Sequence, residues 1–321
     1  MKAIGIILAG GNNNRMKELT AKRAVPALPV AGSFRSIDFA LSSMSNSHIQ
    51  TVAVLTQYNA RSLNEHLSSS KWWNFGRKQG GLFLFTPTVT ADNSDWYRGT
   101  ADAMYQNIDF LKRRHEPYVI ISSGDCVYKL DFNRVLDFHI EKKSDITVVC
   151  KDMMYNDDVS RFGVVRMDDE SRITEFDEKP IEALSNTIST GIYVIRRRQL
   201  IELLEAAAEE NRFDFVNDIL VRYKNVKKIY GYKINSYWNN IADIDAYFKT
   251  NMDFLRPDVR SYFFREEPTI CSKVDDLPPA KFNPGSDISN SLVSSGCIIN
   301  GSVEDSVLFK QVFVGKNTTV K

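Results

Sequence analysis

At 321 residues the chain is too long for one ordinary core, so a unit of roughly two-thirds of the length and a smaller second unit are expected. Its 41 Lys and Arg against 40 Asp and Glu leave a net charge of +1, which gives no electrostatic footprint for nucleic acid or an anionic membrane surface. Four cysteines, Cys126, Cys150, Cys271 and Cys297, lie far apart without paired spacing, and no apolar run reaches the length of a signal-peptide core or a membrane span. A zinc site and a disulfide framework are disfavoured, and a soluble, cytoplasmic protein is expected.

The first element is Ile4-Gly5-Ile6-Ile7-Leu8-Ala9, an apolar run without alternation, which suits a strand covered on both faces. It breaks into Gly10-Gly11-Asn12-Asn13-Asn14-Arg15. Glycines bring backbone N–H groups within reach of phosphate and Arg15 adds a positive charge, although an ordinary Gly/Asn turn has the same composition. Pro26 and Pro29 keep residues 22–29 out of a helix interior. Apolar positions from Phe34 to Met44 recur at helical spacing, and Thr51 to Leu55 is a second buried strand. Gly99-Thr100 precedes a helix over 101–114, and Tyr118 to Ile121 is a strand that runs into Ser122-Ser123-Gly124-Asp125. This alternation predicts an α/β domain with a doubly wound, mostly parallel sheet and helices on both faces.

Beyond Asp125 the pattern predicts a helix over 132–143, a strand over 146–150, a hairpin about 167–170 and a strand over 188–195. Helices over 199–210 and 215–223, a strand over 229–233 and a helix over 243–254 follow. The domain is expected to span 1–255, with the proline-rich stretch 256–284 as a linker. In 285–321, Ile288, Val293, Ile298, Val303, Leu308, Val314 and Val320 recur every five to six positions between small polar residues. That is the period of a parallel β-helix coil, a plain sandwich of short strands being the competing reading. The repeat breaks off at Lys321, so a further coil or another chain is expected on the open edge, with oligomers formed through this end.

Three short segments carry chemistry-bearing residues. Asp125, just past a strand's carboxyl end, is placed where α/β sheets bind ligands and could hold Mg²⁺ beside a phosphate; it could equally be a turn aspartate. Glu178-Lys179-Pro180 could present a carboxylate to sugar hydroxyls and a lysine to phosphate, or be an exposed charge pair. Thr190-Gly191 within a strand permits close approach of a ligand or marks a bulge.

Taken in order, Leu8-Ala9-Gly10-Gly11…Arg15, Arg23-Ala24…Pro26, Trp96-Tyr97-Arg98-Gly99-Thr100-Ala101-Asp102-Ala103, Ser123-Gly124-Asp125, Glu178-Lys179-Pro180 and Tyr237-Trp238 strongly resemble the ADP-glucose pyrophosphorylases (glucose-1-phosphate adenylyltransferases). The resemblance covers essentially the whole chain. It implies a Rossmann-like nucleotidyltransferase domain followed by a left-handed parallel β-helix, tetrameric assembly, and the joining of ATP to glucose 1-phosphate to give ADP-glucose and pyrophosphate for glycogen synthesis. By it, Leu8, Ala9, Gly10, Gly11 and Arg15 border the nucleotide phosphates and Gly99, Thr100 and Ala101 lie along the base. Asp125 is a Mg²⁺ ligand, and Glu178, Lys179, Thr190, Gly191 and Asp214 surround the sugar phosphate.

The departures from that pattern matter as much. Where catalytic members carry a glycine-rich loop, a lysine in Arg-Ala-Lys-Pro and an aspartate in Tyr-Trp-Arg-Asp-Val-Gly, this chain has Asn12-Asn13-Asn14, Val25 and Asn240. Asp218 is kept, but Asn217 stands where a lysine is usual. An amide at 240 removes a full negative charge, so Mg²⁺ should bind weakly or not at all and Asp125 should be vestigial. Val25 removes a cation from the transition state. These losses imply a non-catalytic partner resembling the D-type glycogen-synthesis subunits of Gram-positive bacteria, which would assemble with a catalytic subunit. The alternatives are an active adenylyltransferase and a sugar-nucleotide sensor without an enzyme partner.

Overall fold

The computed structural model describes residues 2–11, 14–76, 80–89, 96–154 and 157–321; Asn12 and Asn13 of the asparagine loop lie outside the described residues. At the centre runs the strand Ala3–Ala9, parallel to Thr51–Thr56 on one side and Tyr118–Ser123 on the other. Gly81–Phe85 extends this half in parallel beyond Thr51–Thr56. The other half turns antiparallel: Thr187–Arg196 pairs with Tyr118–Ser123 and with Ile146–Asp152, and Ile229–Lys233 lies parallel to the latter. The hairpin Gly163–Met167 and Ile173–Glu178 completes the nine strands, joined through Ile188 and Val164.

The unalternating apolar run of the first strand is explained by cover on both faces. Ala3, Ile7 and Ala9 pack into one core with the helices Ser36–Asn46 and Phe132–Glu141. Ile4 and Ile6 pack into the other, with Thr100–Tyr105 and Arg197–Glu209. Gly5 makes room for the Ser36–Asn46 helix: a Cβ there would lie 2.4 Å from Met44 Sδ, so that buried side chain would have to shift.

Several elements differ from the sequence expectations for identifiable reasons. The helix expected over 101–114 is two, Thr100–Tyr105 and Ile108–Lys112. Asn107 interrupts it, its Nδ2 donating to Ala103 O at 2.8 Å and to Tyr97 Oη at 2.9 Å. The stretch 256–284 opens with a helix, Pro257–Phe264, in which Pro257 occupies the first turn, where its missing N–H is not needed. Buried Val259 and Phe263 join Phe39 and Phe254 in a third apolar cluster; the Phe39 and Phe263 rings meet edge-on at 5.3 Å.

Residues 281–320 form a three-sided parallel β-helix. Ile288 is stacked on Val303 and Val303 on Val320, Val293 on Leu308, and Ile299 on Val314. The inward residue of the second coil is Ile299, fully buried, whereas Ile298 is 40% exposed. Cys297-Ile298-Ile299 offers three consecutive apolar side chains, among which a five-to-six period cannot choose; strand alternation takes 297 and 299 inward and turns 298 out. Among the described residues no helix is long and apolar enough to cross a membrane.

Candidate active site

Parallel strands deliver their loops to one edge, and there the carboxyl ends of Ala3–Ala9, Thr51–Thr56 and Tyr118–Ser123 open into a cavity of 690 Å³. Leu8, Ala9, Gly10, Gly11, Arg15, Gly99, Thr100, Asp125, Lys179 and Asn240 all border it. Nine of the residues proposed from sequence therefore meet with Asn240 at one place. Among the described residues nothing lies within 4 Å of the position a Cβ on Gly11 would take.

The turn carrying Asp125 is fixed by its own chain. Gly124 N donates to Leu8 O at 3.0 Å, and buried Ser36 donates through Oγ to Gly124 O at 2.9 Å. The short strands Cys126–Tyr128 and Trp238–Asn240 pair antiparallel, placing Asn240 opposite Cys126, and Ile241 N donates to Asp125 O at 2.9 Å. The backbone thus brings position 240 beside Asp125. The side-chain chemistry is different: Ala242 N, which can only donate, meets Asn240 Oδ1 at 3.0 Å, and Asn240 Nδ2 points to Cys126 Sγ at 3.4 Å. Asp125 Oδ1 already accepts from Ser123 Oγ at 2.5 Å and from Cys126 Sγ at 3.5 Å. Burial, and then the charge of Asp125, push the Cys126 thiol well above its usual range, so it stays a neutral donor. One carboxylate and an amide whose oxygen is already engaged do not fit the two-carboxylate Mg²⁺ site that the fold family implies. Among the described residues no three of His, Cys, Asp and Glu converge as a metal-holding group.

The hairpin reaches the cavity through Lys179; Glu178, Thr190, Gly191 and Asp214, expected around a sugar phosphate, are not among the residues that line it. Lys179 takes a left-handed conformation (φ 52°), its N donates to Phe162 O at 3.0 Å, and its Nζ lies 3.0 Å from Glu178 Oε1. Asp214 caps the following turn, with Asn217 N on its Oδ1 at 2.7 Å, and its own N donates to Asp218 Oδ2 at 2.8 Å. Burial raises the Tyr193 hydroxyl well above its usual value; its hydrogen bond with Ser189 opposes this, and the charges of Glu178 and Asp214 add to it. Gly191 (φ 74°) sits in the bulge where Thr187–Arg196 shifts register against Ile146–Asp152. Thr190 is turned inward, its hydroxyl donating to Val149 O at 2.8 Å. Ala101 likewise belongs to the core, its N bonded to Phe213 O at 2.8 Å, and Ala103 borders the cavity instead.

A third feature links the two sides. A Cβ on Gly99 would lie 2.3 Å from Phe213 O, and Thr100 Oγ1 accepts from Phe215 N at 2.8 Å, so the Gly99 turn is clamped to the Asp214 loop. Sequence reasoning missed Gln57, whose Oε1 accepts from Tyr97 N at 2.6 Å and holds the Tyr97 segment over the cavity. It also missed Arg161, which borders the cavity and is ion-paired with Asp243. Burial lowers the Arg161 guanidinium from its usual value; Asp158 opposes this, Arg15 adds to it and Asp125 opposes it, and the group remains a cation. Neither residue lies in a recognisable motif, and Arg161 is eighteen positions before Lys179, so only the folded hairpin reveals it.

Comparison with known proteins supplies the family. The family model described as nucleotidyl transferase matches residues 4–256, and that of the GlmU-like C-terminal hexapeptide matches residues 278–321. The chain is 38% identical over 320 residues to a glucose-1-phosphate adenylyltransferase of Clostridium novyi, covering 99% of this chain and 84% of that one. It is 36% identical over 322 residues to that of Bacillus subtilis (99% and 84%) and 36% identical over 323 residues to that of Geobacillus stearothermophilus (100% and 83%). The chain belongs to the glucose-1-phosphate adenylyltransferase family of nucleotidyl transferases.

Proposed function

We propose that this chain is a regulatory, largely non-catalytic subunit of glucose-1-phosphate adenylyltransferase in glycogen biosynthesis, working in a cytoplasmic hetero-oligomer, a tetramer, with a catalytic subunit. The observation that carries this reading is Asn240, held by Ala242 N beside Asp125 where a second carboxylate would be needed. The reaction joins a phosphate oxygen of glucose 1-phosphate to the α-phosphorus of ATP and releases pyrophosphate. Catalysis there consists of alignment and neutralisation of developing charge. Alignment is supported by the clamped Gly99 turn, by Gly10 and Gly11 bordering the cavity and by Lys179. Neutralisation is not, since Val25 is an apolar, buried wall residue of the cavity and Asn240 carries no charge. The cleft on this reading binds ATP, ADP-glucose or glucose 1-phosphate and transmits occupancy to its partner, with Arg15 and Lys179 as its phosphate contacts.

The second reading, an active adenylyltransferase, is favoured by the names of relatives 36–38% identical over nearly the whole chain. One assay separates the two: pyrophosphate release from ATP and glucose 1-phosphate by this chain alone, and with a catalytic subunit added. The subunit reading expects background release alone and a mixed complex faster than the catalytic subunit by itself. Full turnover by this chain alone would establish the second reading.

A further inference from the structure

Arg161 is common to two adjoining cavities, the 690 Å³ cavity at the strand ends and a wider cleft of 1140 Å³, and the two share Arg15, Lys179 and Asn240 as well. It is therefore at the junction through which a molecule spanning both would pass. Its side chain is 24% exposed, unlike that of a surface arginine. Nη1 pairs with Asp243, the residue that caps the Ile244–Asp253 helix by accepting from Ala246 N at 2.7 Å, and the guanidinium lies 4.8 Å from the centre of the Phe162 ring. Asp243 follows directly on the Asn240-Ile241-Ala242 segment that is hydrogen-bonded to Asp125. The cation is thus tied to the same loop that fails to provide a metal carboxylate. A guanidinium has five donors in a planar fork, and its pairing with Asp243 leaves others for phosphate oxygens.

A dication introduced beside Asp125 would meet this guanidinium with Asp125 as the one carboxylate among the described residues lining the 690 Å³ cavity, Asp243 being paired with Arg161 and Asp158 lying in the wider cleft. From these observations we infer that Arg161, together with Arg15 and Lys179, supplies the positive charge that Mg²⁺ would otherwise bring to the cleft, and that this chain binds a nucleoside triphosphate without divalent metal. The inference rests on reading the cleft as a nucleotide site, but it does not depend on the chain being inactive.

The test is calorimetric titration of the full chain with ATP, once in magnesium and once in excess EDTA. The expected result is binding in both, with affinities within about twofold of one another. Arg161→Ala should weaken ATP binding about tenfold or more in EDTA, the equivalent of one charge-assisted contact, and Arg161→Lys should fall between. Thermal melting of each variant reports whether the fold is intact, and the lysine variant keeps the test decisive if the alanine variant melts early. Loss of ATP binding in EDTA, or an unchanged affinity in folded Arg161→Ala, would overturn the inference. Activation of the catalytic subunit by the wild-type chain is measured alongside. If binding fails these tests while activation persists, the cation assignment is wrong and the subunit reading stands.

Discussion

The Asp125 corner of the cleft and the Glu178-Lys179 segment, which reaches the cleft through Lys179, rest on the same sheet, but they differ in what has been kept. At Glu178 both the backbone and the charges are present: an acid, a lysine 3.0 Å away and Asp214 on the neighbouring loop. At Asp125 the backbone is equally well held, by Gly124 N on Leu8 O and Ile241 N on Asp125 O, while the charges at 25 and 240 are missing. The difference teaches that the scaffold and the electrostatics of this site are separable. Strand ends and main-chain hydrogen bonds build the cavity whichever side chains line it, so the fold does not depend on the residues the chemistry requires.

The largest expected effect comes from giving the poorer corner what the family pattern has. Asn240→Asp with Val25→Lys and a glycine-rich loop at 12–14 should raise ADP-glucose synthesis by this chain alone on the order of 10²-fold or more above background, since one such electrostatic contact is worth about that much. Pyrophosphate release measures it. A folded triple variant that binds ATP and still makes no product would move the deficit to the Glu178-Lys179 segment and reverse the comparison.

A smaller effect tests the richer segment. Lys179→Ala removes a cation that borders both cavities, and calorimetry should find ADP-glucose binding by the full chain weakened about tenfold. Unchanged affinity would mean that the preserved charges of this segment are not in use. The smallest effect is expected at Asp125. Asp125→Asn should change the activity of the mixed complex less than about twofold, because the carboxylate there has no charged partner at 240 to work with. A tenfold loss in that assay would show that the corner still performs chemistry.

Much of the fold was legible because it is dictated by local patterns. The first strand, the Ser36–Asn46 helix, the hairpin and the β-helix period all follow from apolar spacing and turn residues, which neighbours in the fold reinforce. Gly81–Phe85 and the Arg61–Leu67 helix were not assigned from sequence. The first is a short run whose residues are only half-buried at the sheet edge, and the second is seven residues without a side-chain cap. The Pro257–Phe264 helix was hidden because proline content reads as a linker unless the position of the proline within the first turn is known.

At the site the division is similar. The sequence by itself determined which residue types are present and absent: the glycine pair, Asp125, Glu178-Lys179, and the missing charges at 25 and 240. Those are statements of identity, and the order of motifs along the chain was enough to read them. Only the tertiary structure decided which groups face the cavity and which are already engaged. Thr190 and Ala101 are spent on the core, Asn240 Oδ1 is taken by Ala242 N, and Arg161 is brought to the cavity from a loop with no motif of its own. The physical reason is that a side chain's availability depends on the donors and acceptors that distant strands bring to it, and linear spacing carries no record of them.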